Sequence, residues 1–457
     1  MRAERTAWLL AAVLVAGFAG RAAFTLTPRQ TDMPFAGGLI DIARHIEDDY
    51  VREVSAETLR NAAIAGVMSR LDPFSTYVPP ADREAFSGSL EGNFRGVGVY
   101  LIEREGGGVE VASPIEASPA FEAGVTAGDV ITAVDGTDVS TAAIERVQEL
   151  VRGPVGTTVT LTLRRNGRTL DLTMPRADVS VPMVKGYRRN ADDTWDYTVL
   201  DEPMIGYVRL SQFTPGVADE IRQIVTDLEA HGLRGLILDM RFNPGGQLDE
   251  ALELADEFVT DGVLLTQSGR RRLEQVHPAD GSRITGVPMA VLVNEQSASA
   301  AEVVAGALQD HDRALVVGTR TFGKGSVQET MLVRGIPGGP GMLKLTTAKW
   351  YLPSGRSLQR TPDSPSWGVE PDITIAYTND ELRALSGQLA TDAYLTNGRA
   401  TASAAAAMEA AGEGRFVDRQ LEAAVEALVG AAAVEASRGG TSGGEAGGGL
   451  NGERGAS

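Results

Sequence analysis

Hydrophobic residues in the second half of the chain occur in short continuous runs that alternate with runs at helical spacing. Residues 205–213, 235–240 and 288–293 are apolar stretches of strand length, and after each one the apolar residues fall three or four positions apart. Continuous apolar runs are typical of strands buried on both faces, and spaced runs are typical of amphipathic helices. The alternation predicts a layered α/β core, to which we assign residues 176–378.

An earlier segment, residues 93–175, has a different pattern. Residues 158–164 alternate between polar and apolar side chains, the pair Asn166-Gly167 follows, and the alternation resumes over residues 170–174. An Asn-Gly pair between two alternating runs is a strong signal of a β-hairpin. The segment therefore predicts a compact β-rich unit inserted ahead of the core.

Helical spacing marks two further regions. Residues 31–92 predict an N-terminal helical region in which Ser55 caps a helix, and residues 379–435 predict a C-terminal one. Residues 436–457 are rich in glycine, serine and glutamate and predict a disordered tail. The N-terminal helices cannot bury an apolar stripe alone, so they would pack on the core or on a second subunit. A plain amphipathic lid is the alternative.

Residues 1–30 predict export. Residues 7–20 form an uninterrupted apolar run that ends at Arg21, a length that suits the core of a signal peptide better than a membrane span. Without cleavage, residues 22–24 would extend the run into a membrane anchor. The pattern favours neither alternative, and both predict a periplasmic protein, released or anchored to the membrane and facing the periplasm.

Composition narrows the classes of function. The chain has 457 residues and a formal net charge of −19, which argues against nucleic-acid partners because their binding is driven by basic contacts. There is no cysteine, so disulfides and thiol catalysis are excluded. The four histidines form no recognisable Ser/His/Asp pattern, and there is no Gly-x-Ser-x-Gly nucleophile elbow between a strand and a helix.

Ser299 is a candidate nucleophile, because it lies where the strand 288–293 gives way, through a polar turn, to a predicted helix. The N–H groups at a helix start can hold an anion, although a serine there is more often a plain helix cap. A base other than histidine is then needed, and Ser–Lys pairs are an established variant. Lys324 lies between two glycines and Gln328 follows four residues later. The alternative for Lys324 is a surface lysine in a glycine turn.

A nucleotide site is disfavoured. Residues 318–324 match a phosphate-binding loop up to its last position, but Gly325 stands where a Mg²⁺-binding serine or threonine is needed. The residues that follow predict a strand, whereas such a loop leads into a helix. The sequence predicts no cofactor and no metal.

Two motifs resemble the signatures of the carboxy-terminal processing peptidases, also called tail-specific proteases. They are Ser-Ala-Ser-Ala-Ala-Glu at residues 297–302 and Phe-Gly-Lys-Gly-Ser-Val-Gln at residues 322–328. The resemblance implies that Ser299 is the nucleophile, Lys324 the general base and Gln328 the third catalytic member. It also implies that Glu302 is an accessory acid. The family usually has a second serine where this chain has Ala301.

The turn Pro-Gly-Gly at residues 244–246 follows a predicted buried strand. Glycine pairs after strands expose backbone N–H groups, which an oxyanion hole requires. The family resemblance assigns this role to Gly245 or Gly246, together with the N–H of Ala300. The family more commonly has asparagine where Phe242 stands, which a backbone role tolerates. The alternative is an ordinary turn.

The β-rich unit resembles a PDZ domain in its segment Gly-Asp-Val-Ile-Thr-Ala-Val-Asp-Gly at residues 128–136. PDZ domains bind extended peptides by strand addition and hold the terminal carboxylate with backbone N–H groups. The resemblance implies a carboxylate loop and an apolar pocket, with core packing as the alternative for the valines. The implied residues are Arg95, Gly96, Val97, Gly98, Val99, Val147 and Val151.

Taken together, the resemblances imply a multidomain α/β protein with a crotonase-like layered protease core, an inserted PDZ domain and an N-terminal helical segment. They imply an exported serine endopeptidase that cleaves near the C-termini of polypeptides with unstructured tails. A peptide-binding PDZ scaffold with an inactive core and an acyl-CoA enzyme on the same fold are the alternatives. The sequence leaves the oligomeric state and any activating partner open.

Overall fold

The structure is a computed structural model that describes residues 34–104, 107–270, 272–395 and 416–440. The predicted signal peptide or anchor and residues 441–457 of the predicted tail lie outside the described residues. None of the helices in these ranges combines the length and the apolar character that crossing a membrane requires. The chain divides into two compact units, Met1–Pro73 and Phe74–Ser457.

The first unit contains two helices, α1 (Pro34–Asp49) and α2 (Ala56–Met68). Ser55 is the N-cap of α2, and its hydroxyl accepts a hydrogen bond of 3.2 Å from the N–H of Thr58. This cap was predicted from the sequence. It satisfies one of the backbone donors that a helix start leaves unpaired.

The second unit begins with β1 (Thr76–Val78), a 3₁₀ turn (Pro80–Asp82) and α3 (Arg83–Leu90). The β-rich unit follows. Its elements are β2 (Asn93–Gly96), β3 (Val99–Glu103), β4 (Val109–Pro114), α4 (Pro119–Glu122), β5 (Val130–Val134), β6 (Thr137–Asp138), α5 (Ile144–Val151), β7 (Thr158–Arg165), β8 (Arg168–Pro175) and β9 (Ala177–Ser180).

The β-rich unit is built on one antiparallel sheet with the order β3-β4-β5-β7-β8, and β6 pairs with β5. The predicted hairpin joins β7 to β8, and Asn166 and Gly167 both have positive φ at its turn. The entering strand β2 pairs with the leaving strand β9, so that Arg95 lies opposite Asp178. This short ribbon extends the unit slightly beyond the predicted end at residue 175.

The remaining elements form the core and its C-terminal extension. They are β10 (Val184–Lys185), β11 (Arg188–Arg189), β12 (Trp195–Asp196), β13 (Thr198–Leu200), β14 (Ile205–Leu210), α6 (Val217–Ala230), β15 (Gly235–Asp239), α7 (Leu248–Asp256), β16 (Val263–Gly269), β17 (Arg272–Pro278), β18 (Met289–Val293), α8 (Ala300–Asp310), β19 (Ala314–Gly318), β20 (Ser326–Val333), β21 (Gly341–Tyr351), β22 (Ile373–Thr374), α9 (Asn379–Thr391) and α10 (Arg419–Gly440).

The core is a layered α/β structure, as the alternation of apolar runs predicted. Its main sheet has the order β10-β14-β15-β18-β19-β22, and the strands from β14 to β22 run parallel. Residues of α6, α7 and α8 pack on one face with Leu238 and Val291. Residues of α10 pack on the other face with Ile237 and Leu292. Burial on both faces explains why these strands are continuously apolar.

The unit contains a second, five-stranded sheet. Its order is β1-β21-β16-β17, and β20 forms a long antiparallel hairpin with β21. Strand β1 therefore belongs to the core sheet system, although the sequence placed it in the helical region 31–92. Helix α10 runs to Gly440, so the predicted boundary at residue 435 falls inside it.

A buried ionic network joins α10 to the main sheet. The guanidinium of Arg241, which is fully buried, contacts Asp239 at 2.6 Å and Asp418 at 2.8 Å. The hydroxyl of Tyr207 donates to Asp239 at 2.7 Å, and that of Tyr377 donates to Asp418 at 3.0 Å. Every charge in the network is thus paired and hydrogen-bonded, which buried charges require.

We expect the variant Asp418→Asn to be less stable than wild type by about 3 kcal/mol, because a neutral amide replaces the carboxylate that accepts two charge-assisted hydrogen bonds from the buried Arg241 guanidinium. Denaturant unfolding followed by circular dichroism measures the difference. The control is Asp380→Asn, which removes an exposed ion pair with Arg383 and should cost less than about 1 kcal/mol. Equal losses in the two variants would contradict this account of the network.

The same pair predicts a pH dependence. Burial acts to raise the pKa of Asp418, but the charge of Arg241 outweighs it and holds the pKa below its ordinary value. A carboxyl with a lowered folded-state pKa stabilises the fold above its unfolded-state pKa and loses that contribution in acid. The stability difference between wild type and Asp418→Asn should therefore shrink as the pH falls below about 4.

Candidate active site

Ser299 stands in a strained turn between β18 and α8. Its backbone has φ 60° and ψ −119°, in a region that residues with a side chain rarely adopt. The residue occupies the N-cap position of α8 and is 6% exposed. The strand before it is fully buried, as is the helix after it as far as Leu308, and the two hold this turn in place.

The carboxylate of Glu302, on the first turn of α8, receives four hydrogen bonds. One oxygen accepts the N–H groups of Ser299 and Lys324, both at 2.8 Å. The other accepts the N–H of Gly323 at 2.7 Å and the hydroxyl of Thr321 at 2.6 Å. Glu302 therefore connects the turn that carries Ser299 directly to the loop that carries Lys324.

The ionised form of Glu302 fits this environment. Burial raises the pKa of its carboxyl above the ordinary value, while the bonds from Thr321, Lys324, Ser299 and Gly323 each act to lower it. Three of the four partners are backbone N–H groups, which donate hydrogen bonds and cannot accept a hydrogen bond from a protonated carboxyl. A proton on the carboxyl would displace at least one of them, so the hydrogen bonds hold a carboxylate.

The loop that carries Lys324 is fixed on both sides. The N–H of Phe322 donates to the carbonyl of Ser297 at 3.0 Å, and the hydroxyl of Thr321 accepts the N–H of Val369 at 2.7 Å. Gly323 has φ 90°, and a Cβ atom there would lie 2.6 Å from the Trp367 ring. Only glycine fits this position.

The side-chain nitrogen of Lys324 lies over an aromatic ring that was not among the predicted site residues. Its Nζ is 5.2 Å from the ring centroid of Phe74, and that ring meets Phe322 edge-on at 6.5 Å. Such a position favours the protonated amine, which has to lose its proton before it can act as a base. Phe74 lies just before β1, in the run Leu-Asp-Pro-Phe-Ser-Thr-Tyr at residues 71–77, which resembles a further pattern of the carboxy-terminal processing peptidases. That resemblance is the sequence signal that could have found it.

Gln328 lies on β20 opposite Thr346, in the same cleft as Ser299 and Lys324. Its side-chain nitrogen donates to the Ser326 hydroxyl at 2.8 Å and to the Ser326 carbonyl at 3.1 Å. These bonds fix the orientation of the amide and engage its nitrogen with Ser326.

The cleft has a volume of about 730 Å³ and brings most of the predicted site together. Ser299, Lys324, Gln328, Gly245 and Gly246 all line it. Its other lining residues are Leu90, Gln212, Pro244, Gln247, Leu248, Asp249, Ser326, Val327, Glu329, Thr330, Lys344 and Trp350. Among the described residues no cluster of side chains suits a metal ion.

The glycine turn after β15 lies against the Ser299 turn. A Cβ atom on Gly245, whose φ is 101°, would lie 2.7 Å from the Ser299 Cβ and 3.0 Å from the Ala300 nitrogen. The N–H of Gly245 donates to the side chain of Asn243 at 2.8 Å. Within the described ranges, the N–H groups of Gly246 and Ala300 make no hydrogen bond. These two are therefore the donors available for a developing negative charge.

The predicted peptide-binding residues of the β-rich unit divide into two groups. A groove of about 200 Å³ is lined by all of residues 95–99 and by Val151. Val147 does not line it, because its side chain is fully buried in the core of the unit. Leu101, Gln148 and Arg152 also line the groove and were not singled out in the sequence.

Comparison with known proteins gives two family matches. The profile described as peptidase family S41 matches residues 204–375, and a PDZ domain profile matches residues 110–165. A carboxy-terminal-processing protease of Bartonella bacilliformis is 37% identical over 343 residues, which is 73% of this chain and 74% of the relative. A probable CtpA-like serine protease of Staphylococcus saprophyticus is 32% identical over 72% of this chain, which spans 63% of that relative.

Among solved structures, a photosystem II D1 C-terminal processing protease is 28% identical, with a TM-score of 0.44. The match covers 74% of this chain and 92% of that one.

The role of Glu302 is open to a direct test. Glu302→Gln places an amide NH₂ against N–H donors, so we expect about 3 kcal/mol lower stability and about a 100-fold loss of peptide hydrolysis as the site geometry shifts. Denaturant unfolding and kcat/KM measure the two effects. The control Glu295→Gln alters an exposed residue on the loop before α8, which is bonded to Thr319. It should change neither stability nor hydrolysis. Unaltered hydrolysis by Glu302→Gln would mean that the carboxylate does not position the site.

Proposed function

Because the chain belongs to peptidase family S41 and is a serine-type, carboxy-terminal-processing peptidase, we propose that Ser299 and Lys324 carry out its chemistry. The observation that carries the proposal is the Glu302 carboxylate, which holds the Ser299 and Lys324 backbones through hydrogen bonds of 2.8 Å. Two reactive groups fixed to one buried acceptor keep a constant separation of their backbones. Catalysis by a positioned pair depends on such constancy.

The proposed reaction follows from this arrangement. Neutral Lys324 takes the proton of the Ser299 hydroxyl as the oxygen attacks the scissile carbonyl, and the N–H groups of Gly246 and Ala300 receive the resulting oxyanion. The C–N bond then breaks, and the lysine gives its proton to the leaving amine. A water molecule attacks the acyl-enzyme by the same route, which releases the acid and regenerates Ser299.

Gln328 and Glu302 support this pair in different ways. Glu302 acts as a positioning residue, because its carboxylate binds the backbone N–H groups of Ser299 and Lys324. Gln328 lines the cleft with its nitrogen bound to Ser326, which leaves its carbonyl oxygen to orient either the lysine or the substrate.

We assign substrate recognition to the PDZ domain. Residues 95–99 line a groove whose backbone would hold a terminal carboxylate, and a tail bound there would extend β3 as an added strand. The substrates proposed are polypeptides with unstructured C-termini in an exported, periplasmic setting. Docking of the tail would also realign Lys324 with Ser299, and a homo-oligomer or an activating partner would act on the same step.

The layered core, with parallel strands between helices, is consistent with a crotonase-like fold for the protease domain. In an acyl-CoA enzyme on such a core, neither Lys324 nor the PDZ domain would have a role in the reaction. An inactive peptide-binding scaffold is the remaining alternative, and it predicts binding without hydrolysis.

Removal of either reactive side chain distinguishes these functions. We expect Ser299→Ala and Lys324→Ala to lose at least about 1,000-fold in hydrolysis of an unfolded polypeptide while they still bind it. Mass spectrometry of the products and a binding titration provide the two measurements. Lys349→Ala, at an exposed position outside the cleft, is the control and should keep full activity. Wild-type turnover by Lys324→Ala would exclude the Ser–Lys mechanism.

Recognition of the tail predicts that amidation of the substrate C-terminus reduces kcat/KM. The variant Leu101→Glu places a carboxylate in the groove and should reduce cleavage of free-tailed substrate by about tenfold, to the level of the amidated one. Ile102→Glu changes the next residue of β3, which does not line the groove. This variant should retain the preference for a free over an amidated C-terminus. Equal rates for free and amidated tails with wild-type protein would refute capture of the carboxylate.

A further inference from the structure

A second cavity lies on the far edge of the main sheet and shares no lining residue with the catalytic cleft. It has a volume of about 260 Å³ and lies between β10, β14 and the C-terminal helices α9 and α10. Aromatic side chains form much of its wall, from Tyr187, Trp195, Tyr207 and Phe416. Nothing in the proposed hydrolysis uses this cavity.

Two basic side chains that line the cavity come from directly opposite positions. Lys185 on β10 and Arg209 on β14 are register partners in an antiparallel pair. Like charges directly opposite each other on neighbouring strands destabilise a sheet, and partial burial makes their repulsion stronger. The arrangement therefore costs folding free energy unless a negative charge lies between them.

The protein does not supply that negative charge in the described ranges. Lys185 has no ion pair there, and the only charges that act on it are those of Arg209 and Arg189. Arg209 donates one N–H to the Leu389 carbonyl at 2.7 Å, and its buried Nε has no hydrogen-bond partner.

The acidic residues of the cavity are engaged elsewhere. Asp418 is bound by Arg241 and Tyr377, and Asp392 accepts a bond of 2.7 Å from Gln388. Glu422 is exposed at the rim. Arg189, on β11, is already paired with Glu116 of the PDZ domain and stacks on Trp195 at 4.0 Å. Among the described residues that line the cavity, Lys185 and Arg209 thus remain as the two cations without a counter-charge.

We propose that this cavity binds a small anion through a carboxylate or phosphate group, with Lys185 and Arg209 as its ligands. Oxygen anions form strong, charge-assisted hydrogen bonds with both of these cations, and the guanidinium can bind a carboxylate or phosphate in bidentate fashion. The aromatic wall excludes water from one side of the ligand, which strengthens the attraction.

The protonation of Lys185 supports the same inference. Burial, together with the charges of Arg209 and Arg189, lowers the pKa of Lys185 to about 7. An anion beside the amine favours the protonated form and raises this pKa. Binding should accordingly weaken as the pH rises through about 7.

Thermal unfolding with phosphate, with succinate and with chloride at equal ionic strength tests the proposal. We expect phosphate or succinate to raise the Tm of wild type by about 2 °C relative to chloride, and the more effective of the two identifies the preferred group. Lys185→Met should lose this increment, and the control Lys349→Met should retain it. Equal increments in wild type and Lys185→Met, or none in wild type, would overturn the proposal.

The sign of the mutational effect in chloride separates binding from a purely structural role. Lys185→Met removes an uncompensated cation, so its Tm in chloride should equal or exceed that of wild type. A structural role for the amine would lower it instead, and that result would count against the proposal.

Nuclear magnetic resonance of the unaltered protein gives a second measurement that needs no variant. The chain has only four lysines, at positions 185, 324, 344 and 349, so their labelled side-chain signals can be resolved. Phosphate or succinate should raise the pKa of the Lys185 signal by about one unit and leave that of Lys349 in place. An unmoved Lys185 titration at saturating concentrations of both anions would refute the site.

Discussion

The buried carboxylate of Glu302 determines where the two proposed reactive residues stand. A carboxylate without solvent must satisfy its lone pairs from the protein, and here four donors from two separate chain segments do so. The donors cannot leave without exposing a buried charge, so the loop at Lys324 is held to the start of α8. The Glu302 carboxylate also accepts the N–H of Ser299. This hydrogen bond helps to hold that residue in its unfavourable φ.

A second buried charge fixes the other side of the cleft. Asp239 ends β15, and Arg241 binds it two residues later, just before the glycine turn that lies against Ser299. Arg241 also binds Asp418 at the start of α10, so the C-terminal helix contributes to the position of that turn. Two carboxylates thus compensate the charge of Arg241, whereas Lys185 and Arg209, on an edge of the same sheet, have no counter-charge in the part of the chain that the structure describes. That contrast is the physical basis for assigning them an external ligand.

Periodicity and local motifs were sufficient for the features that depend on neighbouring residues. The Asn166-Gly167 hairpin, the Ser55 cap and the alternation of strand and helix are all set within a few positions of the chain. The position of Ser299 at a strand-to-helix junction belongs to this group. The roles of Ser299, Lys324 and Gln328 came from resemblance instead, because the sequence does not reveal which distant loops meet.

Features that depend on contacts between distant residues could not be predicted from the sequence. The pattern at Glu302 could not show that its carboxylate also binds Thr321 and Gly323, some twenty residues away. Val147 has the apolar side chain of a pocket residue, but the orientation of α5 turns it into the core. Phe242 has positive φ and donates its N–H to Asn294, and asparagine tolerates that conformation better than phenylalanine. The substitution is acceptable because the turn uses the backbone of this residue, and the ionic network on one side and Asn294 on the other hold the backbone in place.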